Sequence, residues 1–341
     1  METLDNFLLL ASISFLSFLL TFLLKEYLLS KKILVKPDLR SSHKSPKPQG
    51  GGLAVILSLC ISLSFFLFSN LIEKEEFLFF IIPGLIVALV SFIDDFSDVK
   101  PLIRFSVHIF CALLGLFLVG GFNSLDLFGT TIYLGAWGYL VGSIYIVWFI
   151  NLYNFMDGID GLASIEAIFV FLVFSFFAYF ILSDLSLTFI LISVSASVFG
   201  FLFFNFPKSV IFLGDVGSSF LGILIALISI KTSQTNPELF WSWLILLGIF
   251  LVDSTYTLLI RIFRRDKFYL PHSLHAYQKL SRLFDSHPKT TLLILAINLF
   301  WLLPIASLVS LKITDGLSSL LLAYLPIFFL VYYLRAGLPE K

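Results

Sequence analysis

Eleven apolar runs of near-spanning length recur along this 341-residue chain, and they leave room for little except a bundle of helices in a bilayer. They fall at about 7–29, 51–72, 77–93, 102–121, 137–155, 162–182, 186–206, 217–230, 239–260, 290–311 and 317–334. A hydrocarbon core of about 30 Å is crossed by roughly 20 apolar residues in a helix. Backbone N–H and C=O groups in lipid must be satisfied within the segment, so runs this long are helices rather than barrel strands. The expectation is an all-α, polytopic transmembrane helical bundle of about 10–11 spans, with the short eighth run in question. Composition agrees: 13% of residues are charged, where a soluble domain carries roughly 25%. The 41 Phe are more than a water-soluble core of this size could hide.

The N-terminal residues 1–6 are acidic and lack the positive start and cleavage site of a signal peptide, so the first run is expected to stay in the protein. No fixed-period repeat and no second, soluble unit is visible, which makes 1–341 a single integral membrane domain. Cys60 and Cys111 lie inside apolar runs with no metal-ligand spacing and are expected to be packing residues. A formal net charge of zero gives no bulk case for nucleic acid as a partner; the partner that composition demands is the lipid bilayer.

Basic residues set the orientation. With eleven alternating spans, one side collects most of the Lys and Arg, including Arg40, Lys44, Arg104, Arg264, Arg265 and Lys267, and the other only Lys74, Lys231 and Lys312. The crowded side is then cytoplasmic, with the N-terminus outside and the C-terminus cytoplasmic. Trp137, Trp241 and Trp301 lie near span ends, as interface anchors would, whereas Trp148 and Trp243 sit deeper and call for contacts inside the bundle.

The polar residues gather in a few segments, all on that side, in cytoplasmic loops near 30–50, 94–101, 154–161, 205–217 and 261–289. Asp94-Asp95 with Asp98 closes the third run, and a charge left there is costly unless paired. Adjacent carboxylates repel and invite a divalent cation; Mg²⁺ is commonly held by one or two carboxylates together with substrate phosphates. Asp157, Asp160 and Asp215 enlarge the acidic set beyond structural need. Gly214-Asp215-Val216-Gly217 opens a helix, where free N–H groups favour a phosphate or a metal–phosphate complex. Gly50, Gly51 and Gly52 open the second span similarly, although such glycines also serve close helix packing. His272 and His275 stand at i and i+3 without Cys partners, which disfavours zinc and suits contacts with diphosphate or sugar oxygens. His108 is almost the only titratable residue expected near mid-span, His43 belongs to the basic loop, and His287 before Pro288 reads as plain loop.

These segments, in this order, resemble the polyprenyl-phosphate N-acetylhexosamine-1-phosphate transferases over nearly the whole chain. Asp94-Asp95 with Asp98 is similar to the family's DDxxD element, and NLYNFMDGIDGLA (151–163) and FLGDVGSSFLG (212–222) to its most diagnostic stretches. The resemblance implies that a lipid phosphate, undecaprenyl phosphate, attacks the β-phosphorus of a UDP-N-acetylhexosamine and releases UMP, with Mg²⁺ as cofactor and Mn²⁺ able to substitute. It implies catalytic roles for Asp94, Asp95 and Asp98, with Asp94 orienting or deprotonating the lipid phosphate. Metal ligation falls to Asp215, Asp95 and Asn154. Substrate binding falls to Arg40, Lys44, Asn154, Asp157, Asp160, His272 and His275. Ser273 departs from the Arg often found after the first His, with Arg264 or Arg265 as stand-ins. The last loop, His-Ser-Leu-His rather than a run of adjacent histidines, is similar to enzymes that start O-antigen or other surface polysaccharides. Teichoic acid or peptidoglycan intermediates, and a transporter or flippase, stay open as alternatives. The expected location is the bacterial inner membrane, and a homodimer is compatible with this class.

Overall fold

The structure, a computed structural model, describes residues 2–35, 46–97, 99–267 and 272–339. Every apolar run becomes helix. The first seven are α1 (Glu2–Ser30), α2 (Gly52–Phe68), α3 (Lys74–Ser97), α4 (Pro101–Val119), α5 (Trp137–Phe155), α6 (Leu162–Phe177) and α7 (Leu185–Asn205). After them come α8 (Gly214–Thr235), α9 (Glu238–Leu246), α10 (Gly248–Phe263), α11 (Ala276–Phe284), α12 (His287–Ile297), α13 (Leu303–Ser310) and α14 (Gly316–Tyr333). Short π-helical turns extend α6 (Ala178–Leu182) and join α12 to α13 (Asn298–Leu302). Among the described residues nine helical spans are long and apolar enough to cross a membrane, and a tenth counts if the bent pair α9–α10 is one span. The 17-residue α2 is the remaining apolar helix. The chain is a multi-pass helical membrane protein.

Local chemistry fixes the helix ends. Pro101 starts α4, where its missing N–H costs nothing, and Gly120 at φ 86° closes it in the left-handed conformation. Asp184, Ser286 and Asp315 cap α7, α12 and α14 by accepting N–H bonds from Leu187, Lys289 and Ser318.

The short eighth run proves to be the axis of the bundle. α8 has 22 residues, and 94% of its most apolar window is buried, against 17% for α1. It is wrapped by α2, α3, α4, α5 and α9. Lipid gives helices no hydrophobic reason to associate, so close packing on small residues takes over. Gly222 lets α8 touch the backbone of α5, where an added Cβ would stand 2.7 Å from the Phe149 carbonyl oxygen.

Two features depart from the sequence reading. The helical bundle carries a short addition: β1 (Ser124–Leu127) and β2 (Thr130–Tyr133) form an antiparallel hairpin between α4 and α5. Phe128 and Gly129, both at positive φ, make its two-residue turn, the arrangement that matches the twist of the flanking strands. The ninth run, expected as one helix, breaks by 73° between α9 and α10. Trp241 is not an interface anchor either, because it is buried and its indole N–H donates to the Asp126 carbonyl (2.8 Å), tying α9 to the hairpin. Trp243 does find the bundle contacts expected of it: it stacks on Phe174 at 3.6 Å and donates to Thr232 Oγ1.

Candidate active site

One end of the bundle is stitched together by backbone. Gln49 pairs with Phe212 in a parallel bridge, and the Gly51 and Gly52 N–H groups donate to the Phe212 and Leu213 carbonyls at 2.8 Å each. The approach is closest at Gly52, where an added Cβ would lie 2.3 Å from the Cα and N of Gly217. Gly214, at φ 77°, turns the chain into α8 and places Asp215 in that helix's first turn.

Around Asp215 the predicted residues converge. The Asn154 amide, at the end of α5, donates to the Asp215 carboxylate and to Ser218 Oγ (3.1 Å). Asp95, at the end of α3, faces the charges of Asp215 and Asp94 and accepts from Gln49 Nε2 at 2.9 Å. Asp94 turns the other way, to the Arg104 guanidinium and the Val99 N–H (2.8 Å). The Asp157 carboxyl accepts from the Gly214 backbone. Burial, and then the charge of Asp215, push it well above the ordinary carboxylate range.

Among the described residues no three His, Cys, Asp or Glu side chains form a ready metal cage. The donors gathered here, two carboxylates and an amide oxygen, are hard ligands. They suit a cation that takes few protein ligands and completes its shell with water and phosphate oxygens, as Mg²⁺ does.

The histidine loop leans on the same end. Tyr277 Oη donates to the Phe155 carbonyl (2.9 Å) and lies against Gly158, so the loop roofs the Asn154–Asp157 turn. His272 and His275 stack with ring centroids 4.9 Å apart. Burial first, and then the neighbouring His275 and Arg261, push the His272 imidazole down to about 3, so that ring is neutral near pH 7. Beneath them Asp253 of α10, 1% exposed, accepts from the Ala276 and Tyr277 N–H groups (2.9 Å each) and from Thr257 Oγ1. The turn after α14 holds the loop from outside, as Gly337 N–H donates to the Leu274 carbonyl at 2.9 Å. Arg264 is directed to that turn, donating to the Gly337 carbonyl (3.2 Å), and it is Arg282 that reaches the Ser273 carbonyl.

Asp160 is bonded differently. Its carboxylate takes Ser209 Oγ, His287 Nδ1 (3.1 Å) and, at 4.0 Å, Lys47, while its carbonyl accepts from Thr291. His287 is therefore no plain loop residue: it opens α12 and fastens it to the 157–161 turn. Burial alone would raise the Asp160 carboxyl, but the bonds from His287 and Ser209 and the charges of His287 and Lys47 hold it below the ordinary range. A depressed carboxylate stabilises the fold above its unfolded value and loses that contribution as pH falls through the folded one. His287→Ala should thus cost about 1.5–3 kcal/mol near neutral pH, seen as a lower melting temperature in detergent. The gap between variant and parent should narrow as the medium is acidified.

Arg40, Lys44, His43 and Asp98 lie outside the described residues. Sequence reasoning missed Gln49, Arg104, Asp253 and His287. For Arg104 and Asp253 the signal was present, since an ionisable residue inside an apolar run requires a partner. Glu166, 2% exposed within α6 and bonded by Asn298 Nδ2 (2.6 Å), shows with Asp253 that His108 is not almost alone at depth. On another flank, α5, α9, α10 and α14 line an open apolar cavity of about 440 Å³, with Tyr145, Trp148, Trp241, Tyr256, Tyr324 and Phe328 on its walls.

A family model described as Glycosyl transferase family 4 matches residues 77–233. The chain is 28% identical, over 91% of its length and 88% of the relative's, to a probable undecaprenyl-phosphate N-acetylglucosaminyl 1-phosphate transferase of Bacillus subtilis. It is 26% identical to an undecaprenyl-phosphate alpha-N-acetylglucosaminyl 1-phosphate transferase of Thermotoga maritima, over 84% of this chain and 85% of the other. It is 30% identical to a phospho-N-acetylmuramoyl-pentapeptide-transferase of Streptococcus pneumoniae serotype 19F, over 64% of this chain and 68% of the other.

Proposed function

The chain belongs to glycosyl transferase family 4, and on that premise we propose that it transfers an N-acetylhexosamine-1-phosphate from a UDP-sugar to undecaprenyl phosphate, releasing UMP. The observation that carries this is the convergence of Asp95, Asn154, Asp157 and Asp215 at one end of the bundle. We place that end at the cytoplasmic face of the bacterial inner membrane, where the basic loops belong.

In this reading a lipid phosphate oxygen bonds to the β-phosphorus while the bond from that phosphorus to the bridging oxygen breaks, and UMP leaves with the electron pair. Phosphoryl transfer of this kind needs positioning and charge neutralisation more than covalent help. Asp215, Asp95 and Asn154 would hold Mg²⁺, which when bound neutralises the diphosphate. Asn154 and Asp157 bind the nucleotide and diphosphate, with Asp160 steadying their turn through Lys47, Ser209 and His287. Arg40 and Lys44 add positive charge, and Asp98 completes the acidic element. Asp94, engaged by Arg104, orients the acceptor phosphate, which favours single displacement over a covalent aspartyl intermediate. The apolar cavity beside α10 is where the polyprenyl chain would lie.

Finer assignment follows the last loop. His272-Ser-Leu-His275 in place of adjacent histidines favours initiation of O-antigen or another surface polysaccharide over peptidoglycan. The test is release of UMP by purified protein given Mg²⁺, undecaprenyl phosphate and, in separate reactions, the UDP forms of GlcNAc, GalNAc, QuiNAc and FucNAc. Turnover with one of these, dependent on lipid and metal, is expected. Silence with all four would overturn the enzyme reading.

A further inference from the structure

Asp253 is a buried carboxylate inside α10 that the transfer reaction itself does not use, and every group it touches is a donor. Oδ2 accepts the Tyr277 N–H at 2.9 Å; Oδ1 accepts the Ala276 N–H at 2.9 Å and Thr257 Oγ1 at 3.1 Å. The fourth group at Oδ1 is His275 Nδ1, at 3.3 Å. An ionised carboxylate only accepts, so His275 Nδ1 carries the hydrogen, and in the neutral ring Nε2 keeps its lone pair. The neighbouring ring is set the opposite way. His272 Nδ1 accepts from the Leu274 N–H at 3.3 Å, which leaves the hydrogen on Nε2.

We infer that Asp253 is a positioning residue that locks His275 in the Nδ1–H tautomer, so that the stacked histidine pair offers one acceptor nitrogen beside one donor nitrogen. This rests on the transferase reading of the site. A pair of that polarity is mismatched to a diphosphate, whose oxygens only accept, and matched to a group that both donates and accepts. The amide of an N-acetyl sugar, or two neighbouring hydroxyls, has that character. The pair therefore contacts the sugar of the nucleotide donor rather than its phosphates. A site built to bond such a group rejects an analogue lacking it far more strongly than an apolar pocket could, because its own buried polar atoms would be left unpaired.

The tautomer is read without any turnover. With only five histidines in the chain, long-range ¹⁵N–¹H spectra of histidine-labelled protein in detergent, assigned by comparison with His275→Gln, should show the 275 ring protonated at Nδ1. Asp253→Asn should move that proton toward Nε2. It should also lower kcat/KM for the preferred UDP-N-acetyl sugar at least tenfold, mainly through KM, with Asp253→Glu recovering part of both. A 275 ring protonated at Nε2 in the parent would overturn the inference, and this spectrum stands even if Asp253→Asn does not fold. So would an Asp253→Asn enzyme with parental kinetics. Absence of UMP release by the parent alongside the Nδ1–H spectrum would instead remove the transferase reading and leave the tautomer lock in place.

Discussion

Asp215→Ala should bring UMP release down by on the order of 10³-fold or more, equivalent to about 4 kcal/mol of lost transition-state stabilisation. The size follows from position. Asp215 stands in the first turn of α8, takes the Asn154 amide and faces Asp95 and Asp157. Removing it takes away the proposed metal ligand, which the other two carboxylates face. The loss should fall on turnover and on the metal dependence, with Asp215→Asn requiring more Mg²⁺ for what activity it keeps. Folding should be spared, because in the metal-free protein the substitution relieves repulsion between neighbouring acids. Detergent-purified variant should therefore elute and melt close to the parent. Activity within tenfold of the parent would overturn the proposed role of Asp215 as a metal ligand.

Gly52→Ala should act on the opposite quantity, destabilising the fold by about 3 kcal/mol, at the upper end of what overpacking usually costs. The added carbon would meet backbone, the Cα and N of Gly217 at 2.3 Å and the Leu213 carbonyl oxygen at 3.0 Å, and backbone cannot swing aside as a side-chain tip can. The reciprocal Gly217→Ala meets the Leu213 side chain first, at 2.5 Å, and should cost less. The wedge would also part the Gly51–Phe212 and Gly52–Leu213 hydrogen bonds that seat Gln49 against Asp95, so activity should fall together with melting temperature. A Gly52→Ala protein that melts like the parent would mean the crossing of α2 and α8 is looser than these distances.

The spans were legible because lipid imposes one rule on them all: a run of apolar residues long enough to cross must satisfy its own backbone. The gathering of Asp94, Asp95, Asn154, Asp157 and Asp215 was legible for a related reason, since residues that lipid rejects collect at the ends of helices unless, like Asp253 and Glu166, they find partners inside the bundle. What sequence left dark depends on partners remote along the chain. Asp253 announces that it needs donors, but not that they are the N–H groups of Ala276 and Tyr277. Leu247-Gly248 carries no proline to mark the 73° break. The hairpin at 124–133 is too short for its alternation to stand out. His287 looked idle because the residue it holds, Asp160, is 127 positions away.

The enclosure of α8 also bears on how the protein is made. A helix whose finished surroundings are almost entirely protein gains little from lipid at the end of assembly, so its place must be prepared by other helices. Of the helices that wrap it, α2, α3, α4 and α5 all precede it in the chain and only α9 follows. A ribosome at the membrane therefore delivers the axis after most of its sheath, and Asp215 arrives on α8 to find Asp95 and Asn154 already threaded.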